Sequence, residues 1–103
     1  MKHRLIAQLL EPGIIAIIRA DSPGGLAEAA DALYAGGVTA VEITLTTPGA
    51  LEVIREVTTR HREDGVLMGV GSVLDPESCR AALLAGAEFV VTPVFNEGVI
   101  RMA

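Results

Sequence analysis

The sequence predicts an α/β protein: the first half of a TIM (β/α)8 barrel, with about four βα units behind a leading helix. Three observations carry that prediction. Short, β-branched apolar runs alternate with amphipathic segments, which implies parallel strands joined by right-handed helical crossovers. Three successive amphipathic segments open on a capping residue and a proline (Ser22-Pro23, Thr47-Pro48, Asp75-Pro76), a pairing that starts helices. The second apolar run carries Glu42, Thr44 and Thr46 on one face. An inner strand of an open doubly wound sheet meets helices on both faces, whereas a barrel strand turns one face to a polar mouth. A closed barrel takes roughly 200 residues or more, so the 103 residues here amount to half of one.

The elements follow in order. Residues 1–12 form a leading helix, with Leu5, Ile6 and Leu9 on the side that packs over one end of the sheet. GIIAIIRA (13–20) is the first strand, apolar enough to be covered on both faces. Leu26, Ala29, Ala30, Leu33 and Tyr34 recur at helical spacing, and Gly36-Gly37 stops that helix. TAVEITL (39–45) is the second strand, and Leu51, Ile54 and Val57 share one face of the helix behind it. Asp64-Gly65 turns the chain into VLMGVGS (66–72). Cys79, Ala82 and Leu83 then point inward from a helix ending at Gly86, so Cys79 reads as a small core residue. EFVVTP (88–93) is the fourth strand, and NEGVIRMA opens a further helix. No linker or low-complexity tract interrupts the chain, and residues 1–103 read as a single domain.

Composition narrows the function. Half of the residues are apolar but only 3% are aromatic, so the core is aliphatic. A net charge of -5 with scattered basic residues argues against nucleic acid, whose phosphates demand a basic surface. The single cysteine allows no internal disulfide and no metal cluster. The N-terminal apolar run is too short to span a membrane and lacks a small-residue cleavage site, so a soluble cytoplasmic protein is expected. His3 and His61 sit among polar neighbours and read as surface residues.

Function in parallel α/β proteins collects where strands end and helices begin. Arg19 ends the first strand, Ser72 follows two glycines at the end of the third, and Thr92 and Pro93 stand at the rim of the fourth. Gly69 and Gly71 would let a ligand approach the backbone, although GVGSVL lacks the third glycine of a phosphate fingerprint. Glu42, among apolar strand neighbours, is shielded from bulk water. Burial raises a carboxyl pKa and a nearby guanidinium lowers it, leaving a group that is ionised yet basic enough to take a proton. Two readings stand at this point: a general base beside a substrate-gripping Arg19, or a Glu42–Arg19 ion pair that ties two strands together.

IIAIIRA, AGGVTAVEITLTTPGAL, GVGSVLDPES and AGAEFVVTP, in this order, resemble the N-terminal half of the 2-keto-3-deoxy-6-phosphogluconate (KDPG) and 4-hydroxy-2-oxoglutarate (KHG) aldolase family, from about residue 5 to the last. The resemblance implies a class I aldolase that needs no cofactor or metal. A lysine condenses with the ketone of a small 2-keto acid substrate, and the iminium takes up the electrons of the carbanion at the pyruvate methyl carbon. It makes Glu42 the general acid/base, puts Arg19 and Ser72 at the pyruvate carboxylate, and has Thr46 and Pro93 line the same pocket. Some members carry Arg where this chain has Thr46, which leaves the cationic contact to Arg19. Ser72 stands for a more usual threonine and keeps the hydroxyl. The family's Schiff-base lysine lies on a sixth strand, beyond these residues, and Lys2 is the only lysine present. The chain alone is therefore expected to lack turnover. The resemblance also implies a homo-oligomer, a trimer for the complete barrel. The alternative is a non-catalytic half-barrel that associates with a second copy and buries its open edges. A small doubly wound binding module ranks last, since it would need acids where Arg19 and Ser72 stand.

Overall fold

A computed structural model describes residues 2–103 of the chain. Its elements are α1 (Lys2–Leu10), β1 (Ala16–Ile18), α2 (Leu26–Ala35), β2 (Ala40–Thr44), α3 (Ala50–Arg60), β3 (Leu67–Gly71), α4 (Pro76–Ala85), β4 (Phe89–Val90) and α5 (Glu97–Met102). The strands form one sheet in the order β1-β2-β3-β4, every pair parallel. Sequential order without reversal is what a barrel wall requires, whereas a doubly wound sheet reverses at a switch point. The register sets Ile17 beside Glu42, Glu42 beside Gly69, and Gly69 beside Phe89.

The two faces of the sheet differ as a barrel wall's should. Val41, Ile43, Met68 and Val70 point to one side, where they are fully or almost fully buried against Leu26, Ala27 and Ala30 of α2, Val53, Ile54 and Val57 of α3, and Cys79 and Ala82 of α4. This single aliphatic layer is the core, and Cys79 belongs to it as expected. On the opposite face Ile17 is 63% exposed, because no helix covers that side.

Local chemistry explains where the helices begin, and it corrects the reading of two of the three proline starts. Asp75 caps α4 as expected: its Oδ1 accepts the Ser78 amide at 2.6 Å, with Pro76 in the first turn. Ser22-Pro23 and Thr47-Pro48 do not open their helices. Each lies in a turn ahead of the helix, which starts after a left-handed glycine, Gly25 (φ 81°) or Gly49 (φ 73°), with no side-chain cap. In the second turn the Ala50 amide donates to the Thr47 carbonyl at 3.2 Å, with Pro48 and Gly49 in the positions a type II turn prefers. Glycine two or three residues beyond the capping residue therefore outcompeted it, which frees Thr47 for another role.

Two further expectations need correction. The leading helix ends at Leu10 and buries none of its residues: Leu5 and Leu9 are half-buried, but Ile6 is 51% exposed. Met1, included in that expectation, lies outside the described residues. His61 is not a surface residue. It is 8% exposed, with Nε2 at 2.6 Å from Asp31 Oδ1 on α2 and Nδ1 at 2.8 Å from Asp64 Oδ2 in the following turn. Arg60 donates to the other oxygen of Asp31 and also pairs with Glu56. The Tyr34 ring lies 5.3 Å from the imidazole, centroid to centroid.

Only an imidazolium can donate from both nitrogens at once. Burial works against that charge, but the hydrogen bonds and charges of Asp64 and Asp31 outweigh it, and the His61 pKa is raised. Asp31 is lowered, first by its hydrogen bond to His61. A raised histidine contributes stability that is complete below its unfolded pKa of about 6.5 and lost as pH rises through the folded value. Denaturant unfolding of the wild type and His61→Leu should therefore show the wild type ahead at pH 5.5 by more than at pH 9. An equal gap at both values would mean that folding leaves the proton affinity of the imidazole unchanged.

Candidate active site at the C-terminal ends of the strands

Glu42 is the centre of the site. Alternation along β2 sends Val41 and Ile43 to the helix layer and Glu42 to the opposite face, where it is nevertheless only 4% exposed. Its cover comes from the neighbouring strand. Gly69 and Gly71 carry no side chain on this face, and the Glu42 side chain lies over Gly71 while the Phe89 ring lies over Gly69. Contrary to expectation, the two glycines do not open the backbone to a ligand, because the chain's own Glu42 and Phe89 take up that space. Burial pushes the Glu42 carboxyl above the ordinary carboxylate range, and the positive charge of Arg19 offsets part of the rise. No salt bridge joins Arg19 to Glu42 among the described residues. Arg19 is exposed and acts on the carboxylate through space. The strand-tying ion pair is therefore not what occupies Glu42.

The threonines form a chain of hydroxyls at the end of β2. Thr44 Oγ1 lies 2.8 Å from Thr46 Oγ1 and 3.4 Å from Thr47 Oγ1, and Thr47 Oγ1 accepts the Ala20 amide at 3.2 Å. Thr44 and Thr47 are buried and Thr46 is exposed, so the chain runs from the interior to the surface of the mouth. It fastens the end of β1, next to Arg19, to the end of β2. Thr47 was missed as a site residue because the Thr-Pro pair looked like a helix start.

Ser72 stands one residue past β3 with φ 57°, the only described non-glycine residue in the left-handed region, and is half-buried. Pro93 is exposed beyond β4, next to Thr92, whose hydroxyl donates to the Val94 carbonyl at 3.1 Å. Arg19, Thr46, Ser72 and Pro93 thus stand just beyond the C-terminal ends of the four strands, and Glu42 stands at the middle of β2. Thr46 is hydrogen-bonded into the site, whereas no hydrogen bond links Ser72 or Pro93 to Glu42.

The face that carries Glu42 is open on the β1 side, where its register partner Ile17 is 63% exposed. A cleft of about 370 Å³ lies elsewhere, between the first turns of α3 and α4, lined by Leu45, Thr47, Pro48, Ser78 and Ala81 among others. No group of three or more His, Cys, Asp or Glu side chains among the described residues is placed to hold a metal ion. No described helix is long and apolar enough to cross a membrane. What the arrangement offers is one shielded carboxylate of raised proton affinity beside a cation and hydroxyls, at the rim where barrel enzymes do their chemistry.

Comparison with known proteins sets this geometry in a family. The family model for KDPG and KHG aldolase matches residues 5–103. The 2-dehydro-3-deoxy-phosphogluconate aldolase of Pseudomonas aeruginosa is 42% identical over 93 residues, which cover 90% of this chain and 41% of that protein. This chain thus spans about two fifths of that relative's length. The crystal structure of KDPG aldolase from Legionella pneumophila, with pyruvate captured at low pH as a covalent carbinolamine intermediate, superposes with a TM-score of 0.71 at 28% identity, over 85% of this chain and 42% of that one. A cube-shaped, highly porous cage designed by fusing symmetric oligomeric domains contains a chain that superposes with a TM-score of 0.77 at 37% identity, over 86% of this chain and 33% of its own length.

Proposed function

The chain belongs to the KDPG and KHG aldolase family, and from that premise we propose that it supplies the proton-transfer half of a class I aldolase that splits a 2-keto-3-deoxy acid into pyruvate and an aldehyde. In this reading residues 1–103 are one domain, the N-terminal half of the barrel. Glu42 is its general acid/base, moving protons during carbinolamine formation and at the pyruvate methyl carbon. Arg19 and Ser72 hold the pyruvate carboxylate, and Thr46 and Pro93 line the pocket. The observation that carries the reading is the buried carboxylate of raised pKa on the inner face of β2. A group that takes and returns protons near neutrality needs a pKa above that of a free carboxylate, and ion pairing to Arg19 would have pulled it the other way.

The amine that forms the iminium is not on these strands. Lys2, the only lysine, sits in α1. A further segment must bring the amine to the mouth, so the chain by itself should give no specific pyruvate adduct on borohydride trapping. The Legionella pneumophila relative holds pyruvate as a covalent carbinolamine, which supports imine chemistry for the completed site. We place the completed enzyme in the cytoplasm as a trimer. The likeness to a chain from a cage of symmetric oligomeric domains supports self-association without fixing its number.

The test is a chimera in which this chain replaces the matched 41% of the Pseudomonas aeruginosa aldolase. It is expected to cleave KDPG and to trap pyruvate under borohydride. A folded chimera without either property would overturn the reading. A second reading, a non-catalytic half-barrel that pairs with another copy, draws on the bare inner face, where Ile17 is 63% exposed. Sedimentation of the chain alone decides it, because a well-behaved monomer rules that pairing out.

A further inference from the structure

We propose that Gly71 is a positioning residue: the side chain it lacks is the slot into which the Glu42 carboxylate leans. The importance of that slot rests on the proposed role of Glu42, but its existence is a matter of geometry and can be tested separately. A Cβ built on Gly71 would lie 2.6 Å from Glu42 Cδ and 3.1 Å from Cγ, and nearer still to Oε1. The whole end of the glutamate side chain, not one rotatable atom, fills the place of a methyl group.

The register explains why the carboxylate rests there. Glu42 is paired with Gly69, yet its carboxylate lies over Gly71, two residues nearer the C-terminal mouth. The space over Gly69 is taken: a Cβ there would lie 2.6 Å from Phe89 Cδ2 and closer to two other ring carbons. On the β3 side, Phe89 closes the position beside Glu42 and Gly71 opens the one toward the mouth, so the side chain finds room there only by leaning forward. Gly71 cannot easily retreat, because its carbonyl accepts the Leu45 amide at 2.9 Å and holds the strand ends together. Beyond it the chain turns away at the left-handed Ser72. An added methyl at Gly71 must therefore be met by the glutamate, which swings out into water.

Two measurements on the chain itself test this. Urea unfolding of Gly71→Ala, Glu42→Ala, Gly71→Ala/Glu42→Ala and Gly71→Ala/Glu42→Gln gives a mutant cycle. Gly71→Ala should raise the unfolding equilibrium constant about tenfold more with Glu42 present than with Glu42→Ala, within the range of contacting pairs. Glu42→Gln keeps the shape and should not relieve the clash. Carbon-13 NMR titration should show Glu42 in Gly71→Ala moved down toward the ordinary glutamate value, a shift that a merely structural glycine would not cause. A Gly71→Ala chain that fails to fold, beside a folded Gly71→Ala/Glu42→Ala chain, supports the slot. Equal cost in both backgrounds, failure of both to fold, or an unmoved Glu42 titration overturns it. Loss of chimera turnover would bear on the aldolase reading alone, since neither measurement uses activity.

Discussion

Glu42→Gln in the chimera is expected to lower kcat for KDPG cleavage by about 10²–10⁴-fold, the usual range for removing a general acid/base. Glutamine keeps the shape that fills the slot over Gly71 but can neither take nor release a proton. Arg19, Thr46, Ser72 and Pro93 are untouched, so substrate binding should change far less than kcat. The pH profile offers a second readout. Because burial raises the Glu42 pKa, the acidic limb of kcat/KM should fall at a pH above that of an ordinary glutamate, and Glu42→Gln should erase it. Stability separates chemistry from misfolding. A carboxyl whose folded pKa is raised binds its proton more tightly in the fold, so ionisation above that pKa costs stability. Glutamine removes this cost, and the variant should be at least as stable as wild type at pH 7, with the difference vanishing below the ordinary glutamate pKa. A stable variant that kept full kcat would remove Glu42 from the mechanism.

The other large effect lies one residue away on the opposite face. Ile43 is fully buried in β2, within the core that α2, α3 and α4 share. Ile43→Ala deletes methylenes from a close-packed core and leaves a cavity, at a cost of about 2–5 kcal/mol. A domain of this size holds only about 5–15 kcal/mol in total, so the variant should sit near the edge of folding. By the scaling for small domains, its Tm should drop by roughly 10–30 °C. Thermal denaturation followed by circular dichroism measures it. A drop of under about 5 °C would mean that the helices do not clamp this face.

Much of the fold was legible in the chain because strand and helix each leave a period in the apolar residues. All four strands fall inside the runs that mark them, and the face of β2 that carries Glu42 follows from alternation alone. What escaped depended on neighbours distant in sequence. His61 looked exposed because Arg60 and Arg62 flank it, while the carboxylate of Asp31 that shelters it belongs to another helix. Gly69 and Gly71 looked vacant because the register that lays Phe89 and Glu42 over them is a property of paired strands. Thr47 looked like a helix start because a cap and a turn share residue types until the following glycine is weighed. The candidate residues other than Glu42 are legible as positions just past strand ends, but the hydroxyl chain that holds two of those ends together is not.

Tyr34 gives the His61 cluster an optical consequence. The chain has one tyrosine and no tryptophan, so its near-ultraviolet emission comes from a single ring, tilted 57° to the imidazole at 5.3 Å. Protonation changes both the charge and the proton-accepting capacity of the imidazole beside that phenol. The chain therefore carries an unlabelled fluorophore whose brightness should follow the charge on His61.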